Sequence, residues 1–147
     1  MTIRHVIDED YYKVFDVINN WWGGRAMQHL VQPLFFQHFQ QTSFIFEQQQ
    51  DMRAFLIGFL SQTNPSIAYI HLVGVHPDDR TKGLARTLYT HFFEVVQQVG
   101  CESVQCITSP TNEASIRFHE TLGFTSQQVN HYIGDGQARI VFHKTLL

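Results

Sequence analysis

The stretch that most narrows what this chain can fold into is residues 73–87, Val-Gly-Val-His-Pro-Asp-Asp-Arg-Thr-Lys-Gly-Leu-Ala-Arg-Thr. A β-branched strand runs into a Pro-Asp-Asp turn, and a short loop with one glycine opens into a helix whose inner face is Leu84, Leu88, Phe92, Val95, Val96 and Val99. Gly100 is placed to end that helix, and residues 103–108 follow as a short strand. Strand, crossover helix and strand dictate parallel pairing with a right-handed connection. The same junction is a seat for an anion. The first amides of a helix lack carbonyl partners, the helix dipole adds partial positive charge there, and Gly83, having no Cβ, admits a ligand close to the backbone.

The remaining segments supply a sheet around that unit. Residues 2–7 are expected as a first strand, after which Asp8 caps a helix with Tyr11, Val14, Phe15 and Ile18 inward and Asn19 and Asn20 at its end. Met27, Leu30, Val31, Leu34, Phe35 and Phe39 follow at helical spacing, broken or restarted at Pro33. Residues 42–47 and 52–60 read as two strands about a polar turn, and the Asn64-Pro65 turn leads into a third at 67–76, apolar on both faces as a central strand requires. Past the crossover, Pro110 and Asn112 open a helix with Ala114, Phe118 and Leu122 on one side and Gly123 at its end. Residues 124–132 and 139–144 then pair about a Gly-Asp-Gly turn. Residues 1–147 are expected to form one domain, with 44% hydrophobic residues and 13 Phe ample for a single core.

Charge and cysteine usage exclude several classes. A net charge of −3 does not give the basic face that general nucleic-acid binding needs, so no nucleic-acid partner is expected. The longest apolar run, residues 54–60, is too short to span a membrane, and residues 1–10 have no apolar core of a signal peptide. Cys101 and Cys106 form neither a CxxC motif nor a disulfide framework, and a cytoplasmic location is expected. Nine scattered histidines show no metal-ligand spacing, so no metal is expected.

Two motifs in order then carry a resemblance. Arg-x-x-Gly-x-Ala at residues 80–85, followed by Asn-Glu-Ala-Ser-Ile-Arg-Phe-His-Glu-Thr-Leu-Gly-Phe at 112–124, resembles the coenzyme A loop and the downstream segment of the GNAT superfamily of N-acetyltransferases. The resemblance implies an α+β fold: a mixed, mostly antiparallel sheet of six to seven strands, flanked by about four helices and splayed between its fourth and fifth strands. It implies acetyl-CoA as co-substrate. Val73, Gly74 and Val75 would pair their backbone with the pantetheine arm, with a bulge at Gly74. The amides of Thr81, Lys82, Gly83, Leu84, Ala85 and Arg86, with the charges of Arg80, Lys82 and Arg86, would hold the pyrophosphate. Asn112 would hydrogen-bond the arm, its plain alternative being a helix cap, and Phe118 would stand beside the coenzyme.

Transfer to an amine needs a base, because an alkyl ammonium titrates near 10.4. His71 is favoured, with His76 and Glu47 as other candidates and a buried structural role as the alternative for His71. The family commonly has a proton-donating Tyr where this chain has Phe118, so the leaving thiolate goes unprotonated or takes its proton from Ser115 or His119. A coenzyme-binding or regulatory module without the chemistry is the rival reading. The Trp-Trp-Gly-Gly-Arg run at 21–25 is expected as a loop: either Trp21 and Trp22 plug the core, or an indole and Arg25 line the pocket of a small-molecule amine, the guanidinium gripping a carboxylate or phosphate. A homodimer is left open.

Overall fold

Strand β4, Ile67–Val75, alternates fully and partly buried side chains over its whole length, because helices cover the sheet on both sides of it. It lies mid-sheet in the order β1-β2-β3-β4-β5-β7-β6. The computed structural model describes residues 2–147. The other strands are β1 Thr2–His5, β2 Phe44–Gln48, β3 Asp51–Leu60, β5 Ser103–Thr108, β6 Thr125–Gly134 and β7 Gln137–Thr145; the helices are α1 Asp10–Trp21, α2 Pro33–His38, α3 Leu84–Gln98 and α4 Glu113–Thr121. All neighbouring pairs are antiparallel except β4 and β5. The splayed, mostly antiparallel sheet implied by the two motifs is therefore present.

Two cores sandwich the sheet. Leu84, Leu88, Tyr89, Phe92 and Val96 of α3 pack on Phe44, Leu56, Ala68 and Ile70, while Val14, Ile18 and Trp21 of α1 and Phe36 of α2 pack on Ile45, Phe55, Ile57 and Leu72. Pro33 starts α2 rather than kinking it, and the stretch before it, Gln28–Leu30, is a single 3-10 turn. At the two ends of the chain's first helix two expectations fail. Asp8 does not cap α1. No side chain caps the first amides; instead the Asp10 carboxylate turns back to accept from Ile7 N–H at 2.8 Å while Arg4 forks onto it at 2.8 and 3.0 Å. The helix also runs past Asn19 and Asn20 to Trp21, and Asn19 instead uses its side-chain oxygen to accept from Met27 N–H.

The β4–β5 pairing lasts only three residues, from Ile67 opposite Ser103 to Tyr69 opposite Gln105. Beyond it the strands part. The register of β3 on β4 shifts between Ile57 and Gly58, which leaves His71 as the extra residue, so the bulge expected at Gly74 sits at His71. Gly74 pairs regularly with Phe55 and is glycine for a different reason: a Cβ there would stand 2.4 Å from the Phe55 ring, which crosses over it.

The β2–β3 hairpin turns on Gln49 and Gln50, with φ of 52° and 67°. Both lie in the left-handed region that two-residue hairpins demand and that glycine occupies without strain. Gln50→Gly is expected to stabilise the chain by about 0.5–1 kcal/mol after the added entropy of the unfolded glycine is subtracted. Thermal melting should show a rise of roughly 1–4 °C.

Candidate active site

Where β4 and β5 part, the edge of β4 has no strand paired to it. His76 N–H donates to Arg53 O, so the alternate residues, Leu72 and Gly74, spend their backbone groups on β3. Val73 and Val75 lie between them and direct N–H and C=O away from β3, into the gap. The gap ends at a loop built on Pro77–Asp79, a 3-10 turn capped by His76, whose Nδ1 accepts from Asp78 N–H at 3.1 Å. Gly83 closes that loop with φ of 74° as the N-cap of α3, and no atom lies within 4 Å of where its Cβ would be. The glycine is required by conformation, and the space over it is open.

The loop is held from beneath. Asp79 is buried, accepts from Arg53 Nε at 2.5 Å and from Lys82 Nζ at 2.9 Å, and is held far below the ordinary carboxylate range by those two cations. Lys82 is therefore partly neutralised by Asp79. Arg80 departs further from expectation: its guanidinium donates to the Trp21 carbonyl and ties the loop to the C-terminus of α1, where a cation also suits the helix dipole. Among the described residues Arg86 reaches only a neutral partner, the Thr121 hydroxyl at 3.2 Å, and keeps its charge for the surface between α3 and α4.

Asn112 caps α4, its oxygen accepting from Ser115 N–H at 3.2 Å, which leaves its NH₂ as the group able to donate elsewhere. Phe118 is half-buried and meets the Tyr89 ring edge-on at 5.2 Å. Next to it, His119 is not open to a ligand. Its Nδ1–H donates to Ser115 O at 2.7 Å, its Nε2 accepts from the Tyr89 hydroxyl at 2.8 Å, and its ring stacks on Phe142 at 4.1 Å. Burial holds it neutral, below the usual histidine range. His119 thus joins α4 to α3 and β7 and has no proton to spare, while the Ser115 hydroxyl lies 3.3 Å from the same Nδ1.

His71 differs from His119 in keeping one nitrogen free for work. Its Nε2–H donates to Leu30 O at 2.9 Å, its ring stacks on Phe35 at 4.5 Å, and burial lowers its pKa, so Nδ1 carries a lone pair at neutral pH. The two tryptophans also part ways. Trp21 is 5% exposed and stacked on Phe55, hence core and no pocket wall. Trp22 is half-buried and donates its indole N–H to the Val73 carbonyl at 3.0 Å, with the exposed Arg25 guanidinium 5.8 Å over its ring. Glu47 is tied to Arg4 at 3.1 Å on the β1 side of the sheet and stands apart from the gap.

The sequence model of the acetyltransferase (GNAT) family matches residues 7–124. The chain belongs to the GNAT family. It is 26% identical, over 85% of its own length and 74% of the other's, to phosphinothricin N-acetyltransferase of Streptomyces viridochromogenes. Among solved structures it shares its fold with Ard1 of Thermoplasma volcanium, at a TM-score of 0.82 and 20% identity over 99% of this chain and 97% of that one. It also shares it with the diaminobutyrate acetyltransferase of Paenibacillus lautus, determined with L-2,4-diaminobutyric acid and coenzyme A, at 0.75 and 21% over 96% and 93%.

As a GNAT domain, the chain carries residues toward the gap that its local patterns did not announce. Tyr69, Gln105 and His143 lie in register across β4, β5 and β7 and share the face turned away from α3. The Tyr69 phenol stacks on Phe59 and is pushed up by burial first and by the neighbouring Tyr132 of β6 after it. His143 Nε2 is enclosed without a hydrogen-bond partner among the described residues. These contacts join strands far apart in sequence, so no short motif could signal them. Among the described residues no group of three His, Cys, Asp or Glu is placed to hold a metal ion, and no helix is long and apolar enough to cross a membrane.

Proposed function

We propose that this GNAT domain moves an acetyl group from acetyl-CoA to the primary amine of a small molecule by direct attack. The observation that carries the reading is the parted β4 edge, with Val73 and Val75 directing backbone into the gap, leading straight to the left-handed Gly83 at the head of α3. Peptide-like amides of a pantetheine arm suit the first, and a pyrophosphate suits the second. Thr81 and residues 83–86 would seat the phosphates through their amides, the Lys82 N–H being already bonded to Asp79 O at 3.1 Å, with Arg86 as the cation least committed elsewhere. Arg80 would act indirectly, by fixing the loop to α1.

In the reaction the amine nitrogen attacks the thioester carbonyl, loses a proton, and expels the thiolate as the C–S bond breaks. His71 Nδ1 is the neutral base best placed by the bulge to receive that proton. Phe118 offers no proton to the sulfur, so the thiolate departs as such and is protonated by solvent. Likeness to acetyltransferases named for phosphinothricin and diaminobutyrate supports an amino-acid-like acceptor, whose anionic end the exposed Arg25 guanidinium suits. A cytoplasmic setting fits such an acceptor.

Thiol release from acetyl-CoA over a panel of amino-acid and diamine acceptors tests the reading. Log kcat/KM should rise with pH through a midpoint below the ordinary histidine value, because burial lowers His71 and only its neutral form accepts a proton. His71→Gln should lose about a hundredfold in kcat and the acid limb with it. Acetyl-CoA binding without thiol release from any acceptor would favour the rival reading, a coenzyme-binding module, for which Phe118 in place of a proton donor speaks.

A further inference from the structure

The Val73 carbonyl, which faces the gap, is already occupied. Trp22 Nε1–H donates to it at 3.0 Å, the distance at which an N–H of an adjacent strand would bond. Helix α1 delivers the indole there by ending on glycines: Gly24 N–H donates to Asn19 O at 2.7 Å, Gly23 N–H to Asn20 O at 3.3 Å, and Gly23 has φ of 75°. That double bond pattern fixes the Trp22 backbone. Arg80 fixes it again from the loop side through the Trp21 carbonyl, and Trp21 itself is packed on Phe55. The Trp22 side chain is itself half-buried, packed against the core beneath α1, with the exposed Arg25 over its ring.

We propose that the Trp22 indole and the coenzyme's pantetheine arm are rivals for the Val73 carbonyl, so that binding of the arm exchanges one N–H for another and turns the indole outward toward Arg25. The inference rests on the acetyl-CoA reading above. An arm lying along β4 as a pseudo-strand needs the Val73 C=O as an acceptor, and the indole N–H already holds that carbonyl. The exchange also links the two halves of the site. Arg25 Nε donates to the Trp22 carbonyl at 3.1 Å and its guanidinium covers the indole, so an indole that turns outward rearranges the one cation suited to the acceptor.

Acetyl-CoA titrations of the full chain and of Trp22→Phe, followed by calorimetry and by tryptophan emission, decide it. Trp22→Phe keeps an aromatic ring and removes the N–H, so coenzyme no longer has to displace a hydrogen bond. It is expected to bind acetyl-CoA about two- to tenfold more tightly, the range that one net hydrogen bond spans. Emission of the wild-type chain should change at saturation, whereas in Trp22→Phe the remaining Trp21, buried against Phe55, should not respond. Equal or weaker binding by folded Trp22→Phe overturns the proposal, and so does unchanged wild-type emission at saturation, a result that needs no variant. A wild-type chain that fails to bind acetyl-CoA brings down the acetyl-CoA reading itself, an outcome distinct from the other two.

Discussion

Asp10→Ala is expected to destabilise the chain by about 2–4 kcal/mol, which lowers the melting temperature by roughly 5–15 °C. The carboxylate has no exposed surface, accepts two bonds from Arg4 and one from Ile7 N–H, and has Lys13 at 3.7 Å. Its removal leaves Ile7 N–H without its partner at the entrance to α1 and strips Arg4 of the stronger of its two carboxylates. The full 3–5 kcal/mol of a broken buried pair is not reached, because Arg4 is 29% exposed and retains Glu47. Burial pulls the Asp10 pKa upward, but the bonds from Arg4 and Ile7 outweigh it and the net shift is downward. A carboxyl lowered in the folded state stabilises above its unfolded pKa, near 3.9, and that contribution is lost as pH falls through the folded value. The gap in stability between wild type and variant, measured by denaturant unfolding, should therefore be full at neutral pH and narrow below about pH 4. A gap that does not change with pH would assign the loss to packing alone.

What could be read from the sequence was what depends on neighbours in the chain. The crossover helix declares itself because Leu84, Leu88, Phe92 and Val96 recur at helical spacing, and all four are buried. Gly83 declares itself because a strand, a turn and a helix follow one another within 15 residues, and the structure gives it the left-handed φ that only a glycine takes easily. The errors fall where a distant segment decides. Val14, Ile18 and Trp21 already form a helical stripe, but two asparagines next to two tryptophans and two glycines suggested an early stop. The true end is Trp21, one residue past Asn20, and Gly23 just beyond it supplies the left-handed turn.

The bulge on β4 could not be placed either, since it follows from how β3 aligns on β4, and the glycine that suggested it answers to Phe55 across the pair. His119 is the sharpest case. Its spacing from Ser115 was visible, but Tyr89, 30 residues earlier on another helix, and Phe142, on the next-to-last strand in the sheet, turn a candidate proton donor into a rivet. Charge is misread in the same way: three basic residues near an anion loop look like three phosphate contacts, until Asp79 takes Lys82 and the end of α1 takes Arg80.

Gly83→Glu is expected to weaken acetyl-CoA binding by about a hundredfold or more while leaving the chain folded. Two terms could act, and the structure separates them. The first is backbone strain: an L side chain at φ of 74° costs about 1–2 kcal/mol, yet no atom lies within 4 Å of the Cβ position, so no clash is added. A domain of this size tolerates that loss. The second is charge. A carboxylate would stand over the first amides of α3, where the coenzyme's phosphates are proposed to sit, and two unit charges about 4 Å apart repel by roughly 4 kcal/mol at an effective dielectric of 20. Strain alone predicts that every side chain at this position does similar damage. Charge predicts that Gly83→Gln, which bears the same left-handed strain as Gly83→Glu and carries no charge, binds within a few fold of wild type while Gly83→Glu does not. Isothermal titration with acetyl-CoA, beside melting curves of both variants, distinguishes them. Wild-type affinity in folded Gly83→Glu would place the anion seat somewhere other than the head of α3.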